Sequence, residues 1–182
     1  METTDLRDTV ASARQGSEQA YRELVGRFGP GLLGYFARNT GNQADAEDLL
    51  QDVFVRLVKA FPAYREKERF EVWLYRMARH LLIDYWRKRK VSLAAEDWMI
   101  EEQITADPLD RMTDRETQDE LQRALAKLSP EQREVILMRY FSDLTFEEIA
   151  KANATPLGTA LARAHRGLAR LKELLTQKEK VS

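Results

Sequence analysis

The sequence predicts an all-α protein: two small helical domains joined by an acidic linker. Three observations carry this. Gly and Pro number only 8 and 5 in 182 residues, and runs of β-branched residues are absent, whereas the good helix formers Leu, Ala and Arg are abundant. Apolar residues recur at three- and four-residue steps, the period of a one-sided helix. Charge is divided along the chain: residues 1–92 hold 16 Lys/Arg and 13 Asp/Glu, residues 93–117 hold 2 and 8, and residues 118–182 hold 11 and 9. The net charge of −1 therefore conceals two mildly basic blocks flanking a connector of −6.

The first block reads as helices near 17–27, 30–40, 44–60 and 70–90. Gly29-Pro30 is expected to break or kink the first pair, because Pro has no N–H to donate and its ring crowds the preceding turn. Gly41-Asn42 gives a turn. Phe61-Pro62 ends the third helix, and 62–69 is expected to be an ordered loop. Across 93–116 the periodicity fades, acidic residues dominate and Asp107-Pro108 signals a turn, so this segment reads as the linker. Trp98, Met99 and Ile100 give it apolar groups with which to dock. The second block opens with Thr113 and Glu116, a capping-box pair starting a helix to about Lys127. Ser129-Pro130-Glu131-Gln132 is a stronger start, with Ser at the N-cap, Pro at N1 and Gln at N3, and its helix runs to about Tyr140. Thr145 with Glu148 opens a short helix to about Ala152, and Thr155-Pro156 starts a final helix to about Thr176.

Composition also excludes. No stretch of about 18 apolar residues is present to span a membrane, and residues 1–10 lack the apolar core of an export signal, so the cytoplasm is the expected compartment. With no cysteine, disulfides and thiolate zinc sites are ruled out. There is no Gly-x-x-x-x-Gly-Lys-Ser/Thr loop for a nucleotide phosphate. No catalytic residues, metal site or cofactor are expected.

Three surfaces are candidates for function. On the helix at 70–90, Phe70, Trp73, Leu74, Met77, Leu81 and Tyr85 form an apolar stripe, while Arg76, Arg79, Arg87 and Lys90 lie opposite, bordered by Tyr75 and Trp86. Cations that follow phosphates beside rings that accept unstacked bases suit a single nucleic-acid strand. A solvated charged face is the competing reading. The segment from Thr145 to Leu175 has the form of a helix–turn–helix. Phe146, Ile149 and Ala150 would pack its first helix, Asn153-Ala154-Thr155 would turn, and Leu157, Ala160, Ala164, Leu168 and Leu171 would bury the second. Ala162, His165, Arg166, Thr159, Arg163 and Arg170 are left exposed, as major-groove reading requires. Its alternative is a plain helical hairpin. The third surface is an acidic row, Asp45, Asp48 and Asp52 with Glu47 and Gln51. No Glu-x-x-His partner motif accompanies it, as a bundle metal site would require, so a basic protein partner fits better than a metal.

In these segments the chain resembles a known family. Asp45-Ala46-Glu47-Asp48-Leu49-Leu50-Gln51-Asp52-Val53-Phe54, then Phe70-Glu71-Val72-Trp73-Leu74-Tyr75-Arg76-Met77-Ala78-Arg79 and Asp84-Tyr85-Trp86-Arg87, resemble region 2 of bacterial extracytoplasmic-function sigma factors. Leu128-Ser129-Pro130-Glu131-Gln132-Arg133-Glu134-Val135, Glu147-Glu148-Ile149-Ala150 and Pro156-Leu157-Gly158-Thr159 resemble region 4. The resemblance implies domains at 1–92 and 117–182 with the linker at 93–116. It implies binding to the beta-prime clamp helices of core RNA polymerase through Asp45, Asp48, Leu49, Gln51 and Asp52, and to the beta flap. It implies reading of a melted −10 element by Tyr64, Arg65, Phe70, Trp73, Tyr75, Arg76, Arg79, His80 and Arg87. Reading of a −35 duplex falls to Thr159, Leu161, Ala162, Arg163, His165 and Arg166. An anti-sigma factor that blocks the polymerase-binding faces is implied as a further partner, and the acidic linker would mimic RNA in a polymerase channel or serve as a plain tether.

Two departures stand out. His80 occupies a position where the family commonly has Asn, and Ala160-Leu161-Ala162-Arg163 replaces a Val-Lys-Ser-Arg pattern, removing a cation and a hydroxyl from the −35 reader. Magnitudes also bound the first domain. Unstacking about ten steps costs about 14 kcal/mol, and stacking two or three bases returns about 2–9 kcal/mol, so the isolated chain is not expected to open duplex DNA. The competing reading is a helix–turn–helix regulator that acts without being a polymerase subunit.

Overall fold

A computed structural model describes residues 6–65, 69–95 and 115–179. These residues form eight α-helices and a 3-10 turn, with no strand among them. The N-terminal half comprises α1 (Leu6–Arg14), α2 (Glu18–Thr40), α3 (Gln43–Ala60), the turn Phe61–Ala63 and α4 (Phe70–Ala95). The C-terminal half comprises α5 (Arg115–Ala126), α6 (Pro130–Ser142), α7 (Phe146–Ala152) and α8 (Leu157–Glu179). Most of the segment read as the linker, with Trp98, Met99, Ile100 and the Thr113 cap, lies outside the described residues.

Caps set the helix starts. Ser17 accepts from the Ala20 N–H at 3.3 Å and Asn42 from the Asp45 N–H at 3.1 Å. Ser129/Gln132 and Thr145/Glu148 close both reciprocal bonds of a capping box, giving partners to N–H groups that a helix cannot satisfy itself. Two elements differ from expectation. Helix α1 was not anticipated, although Val10 and Ala13 bury on its inner face and Leu6 continues that spacing. Helix α2 runs unbroken through Pro30. Burial of Phe28, Leu32, Tyr35 and Phe36 on both sides of the proline outweighs the one backbone bond that Pro removes, since a buried Leu or Phe contributes about 1.5–3 kcal/mol.

The core of the N-terminal half centres on Leu24, Leu32, Phe36, Val53, Leu57, Phe61 and Leu74, each essentially without exposure. Val135, Met138, Leu144, Ile149 and Ala160 do the same for the C-terminal half. The halves also pack together: α6 lies on α2, and α6 and α7 lie on α4.

The turn between α7 and α8 is a left-handed helix stop. Ala154 sits at φ 50°, its N–H reaches the Lys151 carbonyl at 3.2 Å, and the Thr155 N–H reaches the Ala150 carbonyl at 2.9 Å. That pair of bonds normally has Gly at the left-handed position, where an L side chain costs about 1–2 kcal/mol. Ala154→Gly should therefore stabilise the protein by up to about 1 kcal/mol, the rest being offset by unfolded-chain entropy. Denaturant unfolding that shows no gain would contradict this account of the turn.

Candidate nucleic-acid interface

Helix α4 carries the largest set of candidate residues, and its two sides differ from a simple apolar stripe opposite a free charged face. Phe70 is buried, stacked on Phe61 at 5.9 Å between centroids, and Tyr64 is buried against Trp73 at 4.5 Å. Both rings are therefore core groups that shape the entry to α4. Trp73 is half-buried and forms the edge of this aromatic cluster, while Arg65 is exposed and donates to the Tyr64 carbonyl at 3.1 Å. Tyr75, expected at the margin of the cationic side, is 1% exposed. Its hydroxyl donates to the Phe141 carbonyl of α6 at 2.5 Å, and burial, with Asp143 nearby, pushes its pKa up. Arg79 Nε lies 2.9 Å from a Glu134 carboxylate oxygen of α6, a close charge pair whose N–H is not aimed along the contact. His80 is exposed and Arg76 half-buried. Arg87 is exposed and pairs with Asp84 at 3.0 Å.

The acidic row on α3 divides. Asp48, Gln51 and Asp52 point to solvent, but Leu49 is buried in the core, where it fixes the helix and presents no outward contact. Asp45 turns toward α4: it accepts from the Tyr85 hydroxyl at 2.7 Å and faces Arg89 at 3.4 Å. Arg89 in turn lies 6.0 Å from the centroids of the Tyr85 and Trp86 rings. Asp45 thus ties the start of α3 to the far end of α4. Arg89 and Trp86 join this cluster without having been singled out as a group, although the Tyr85–Arg89 spacing of one helical turn was the available signal.

In the helix–turn–helix, α8 buries Ala160, Ala164, Gly167 and Leu171, whereas Leu157 and Leu168 are exposed. This corrects the expected packing face. A Cβ on Gly167 would come within 2.7 Å of Ile136 Cδ1, so α6 and α8 meet at small residues, and the leucines rotate outward. Leu157, Leu161, His165 and Leu168 then share the exposed side, with Arg166 beside them. Thr159, Ala162 and Arg163 are half-buried. Arg163 faces the acidic residues of α6: Glu131 is lowered first by hydrogen bonds from its own backbone N–H and from Ser129, with Arg163 adding to them, and the Arg163 charge opposes the burial that raises Glu134. The outward cation near the start of the second helix is Arg166.

Comparison with known proteins gives consistent results. The chain matches the family models Sigma-70 region 2 over residues 24–91 and Sigma-70, region 4 over residues 118–171. It is 34% identical to the RNA polymerase sigma factor CarQ of Myxococcus xanthus, covering 91% of this chain and 95% of that one. It is 28% identical to the ECF RNA polymerase sigma factor SigW of Bacillus subtilis, over 93% and 96% of the two chains. The fold is similar to that of the sigma factor RpoE solved with the anti-sigma factor NepR from Bartonella quintana. There the TM-score is 0.77 and identity 25%, over 86% of this chain and 96% of that one.

The Asp45–Tyr85 contact yields a pH prediction. Burial first, then the bond to Asp45, raises the Tyr85 phenol to about 12, against about 10 in an unfolded chain. Between those values the unfolded state has lost a proton that the folded state keeps, so raising pH favours unfolding. The stabilisation is complete below pH ~10 and disappears as pH rises through ~12. Tyr85→Phe should therefore lose less stability than the wild type across this window in thermal melts. Parallel slopes would show that Tyr85 does not titrate as stated.

Proposed function

The chain belongs to the extracytoplasmic-function sigma factors of the sigma-70 family, and on that premise we propose how its residues divide the work of an alternative sigma factor. It binds core RNA polymerase and directs promoter-specific initiation; the nucleotidyl transfer is the polymerase's, and no catalytic residue or cofactor is assigned here. The observation that carries this reading is the pair of region matches, in order, on one chain. A regulator using only its helix–turn–helix would have no need of the first.

In the N-terminal domain, Asp48, Gln51 and Asp52 form the exposed acidic face for the basic clamp helices of beta-prime, since complementary charge steers and orients docking. Asp45 supports that face from behind through Tyr85 and Arg89. Trp73, Arg76, Arg79, His80, Arg65 and Arg87 follow the melted −10 strand, while buried Tyr75 holds α4 in place beneath them through the Phe141 carbonyl. Phe70 and Tyr64 hold the shape of the entrance. In the C-terminal domain, Arg166 and His165 make polar contacts in the −35 major groove. Leu161 and Ala162 offer apolar contact to thymine methyl groups, and Thr159 and Arg163 flank them. The beta flap receives the same domain. The linker connects the two domains through the polymerase, and an anti-sigma factor is the natural inhibitor of the exposed faces. No helix among the described residues is long and apolar enough to cross a membrane, which suits work on the cytoplasmic polymerase.

Reconstitution tests this directly. The purified chain mixed with core polymerase should co-elute as a complex and give promoter-dependent transcripts; absence of both would remove the assignment. Asp48→Lys with Asp52→Lys should weaken core binding and reduce its salt dependence, read by fluorescence anisotropy at several ionic strengths. Arg166→Ala should cost about 1–3 kcal/mol in promoter binding by the holoenzyme if it reaches a base edge. Equal affinity of mutant and wild type would take Arg166 off the reading surface.

A further inference from the structure

The outward side of α8 divides along its length into an apolar zone and a polar one. Leu157 is 39% exposed and Leu161 44%, one turn apart on the same side. Gly158 is exposed with them, and Ala162 is half-buried alongside. None of these four side chains can donate or accept a hydrogen bond. The first exposed side chains of α8 that can do so are His165 and Arg166, about 12 Å further along the axis than Leu157 at 1.5 Å per residue. The apolar zone also continues past the start of the helix. A cleft of about 460 Å³ adjoins Leu157, lined by Ala150, Ala154 and Pro156 with Glu147 and Lys151. One charge of each sign interrupts an otherwise apolar surface there.

Position on the helix decides what such a zone meets. The two leucines stand at the N-terminal end of the second helix of a helix–turn–helix, the end that reaches base edges, and the first turn of α8 carries no acidic residue to repel phosphate. In the major groove the apolar group that a base pair offers is the thymine C5-methyl. A G·C pair set against the leucines would present acceptors and a donor that lose water and gain no partner, which is unfavourable. Covering one methyl group is worth about fourfold in an equilibrium constant. The zone therefore favours A·T pairs twice over, by what it covers and by what it leaves unpaired.

We propose that this chain reads one end of its −35 element by methyl groups: Leu157 and Leu161, with Ala162 beside them, meet a run of A·T pairs whose thymine methyls face α8, and hydrogen-bonded readout is confined to the other end, at His165 and Arg166. The proposal rests on the assignment of α8 to the −35 duplex. It makes Leu157 a specificity-determining residue and separates the reader into a part insensitive to salt and a part that is not. Leu168 is 54% exposed on the same side, but about 17 Å from Leu157 along the axis. It lies beyond the reading end and takes no part in base discrimination.

The test uses holoenzyme, formed from this chain and core polymerase, and a promoter that it selects from a pool randomised at the −35 element. The selected element should carry consecutive A·T pairs. Each of their thymines is then replaced by uracil, which lacks the methyl group and keeps every hydrogen-bonding atom. Replacement at a contacted thymine should weaken binding about fourfold, and uracil placed in the spacer should change nothing. The thymine-to-uracil ratio should hold constant across salt concentrations that weaken phosphate contacts. Leu161→Ala, a change at an exposed site, should bring that ratio to about one at a single position, while Leu168→Ala should leave it as in the wild type. Equal binding of thymine and uracil promoters by the wild type, or selection of an element without A·T pairs, would overturn the proposal and leave the sigma-factor reading intact. So would a Leu161→Ala variant that keeps the ratio and instead loses affinity for core polymerase, since the leucines would then be a protein contact. Failure of the wild type to form any promoter complex would remove the sigma-factor reading, and the proposal with it.

Discussion

Helix α4 is covered on two sides, and the arrangement of the molecule follows from that. Leu74, Ala78 and Leu81 are buried with the N-terminal core, while Tyr75 and Arg79 are met by Phe141 and Glu134 of the C-terminal half. A helix with a single apolar stripe would leave the C-terminal half to its own linker. Here the second side offers an aromatic hydroxyl and a guanidinium, which need partners once water is removed. Helix α6 provides one acceptor for each. The geometry that brings these acceptors in also demands that α2 be bare at Gly31 and Gly34.

The second side of α4 faces the C-terminal half. In the free chain it satisfies its polar groups internally. In the helix–turn–helix, Arg166, His165 and Leu161 are outward.

Much of this was legible in the sequence. Capping boxes at Ser129 and Thr145, the turn at Gly41-Asn42 and the period of apolar residues placed most of the helices, because these signals are local. The family motifs fall within the stretches that match the two sigma-70 region models, 24–91 and 118–171. Besides α1, three matters were not legible. Pro30 looked like a break, because the burial that carries α2 through it comes from residues distant in the chain. Leu157 and Leu168 looked buried on period alone, because the small residue at Gly167, which sets how α8 rolls onto α6, competes with leucine size only in three dimensions. Tyr75 and Arg79 looked solvent-facing, because a stripe on one helix says nothing of a second partner. Gly31 and Gly34, three apart on one helix, were the trace of that partner, but nothing in the spacing identified Phe141.

The central claim is that this chain gives core RNA polymerase its promoter specificity, with α4 as the surface proposed for the −10 strand. A photo-crosslinking residue in place of Arg79 tests it most directly. The account predicts crosslinks to the non-template strand in the promoter complex with core polymerase. A promoter complex that forms and initiates with no crosslink to DNA from this position would contradict it.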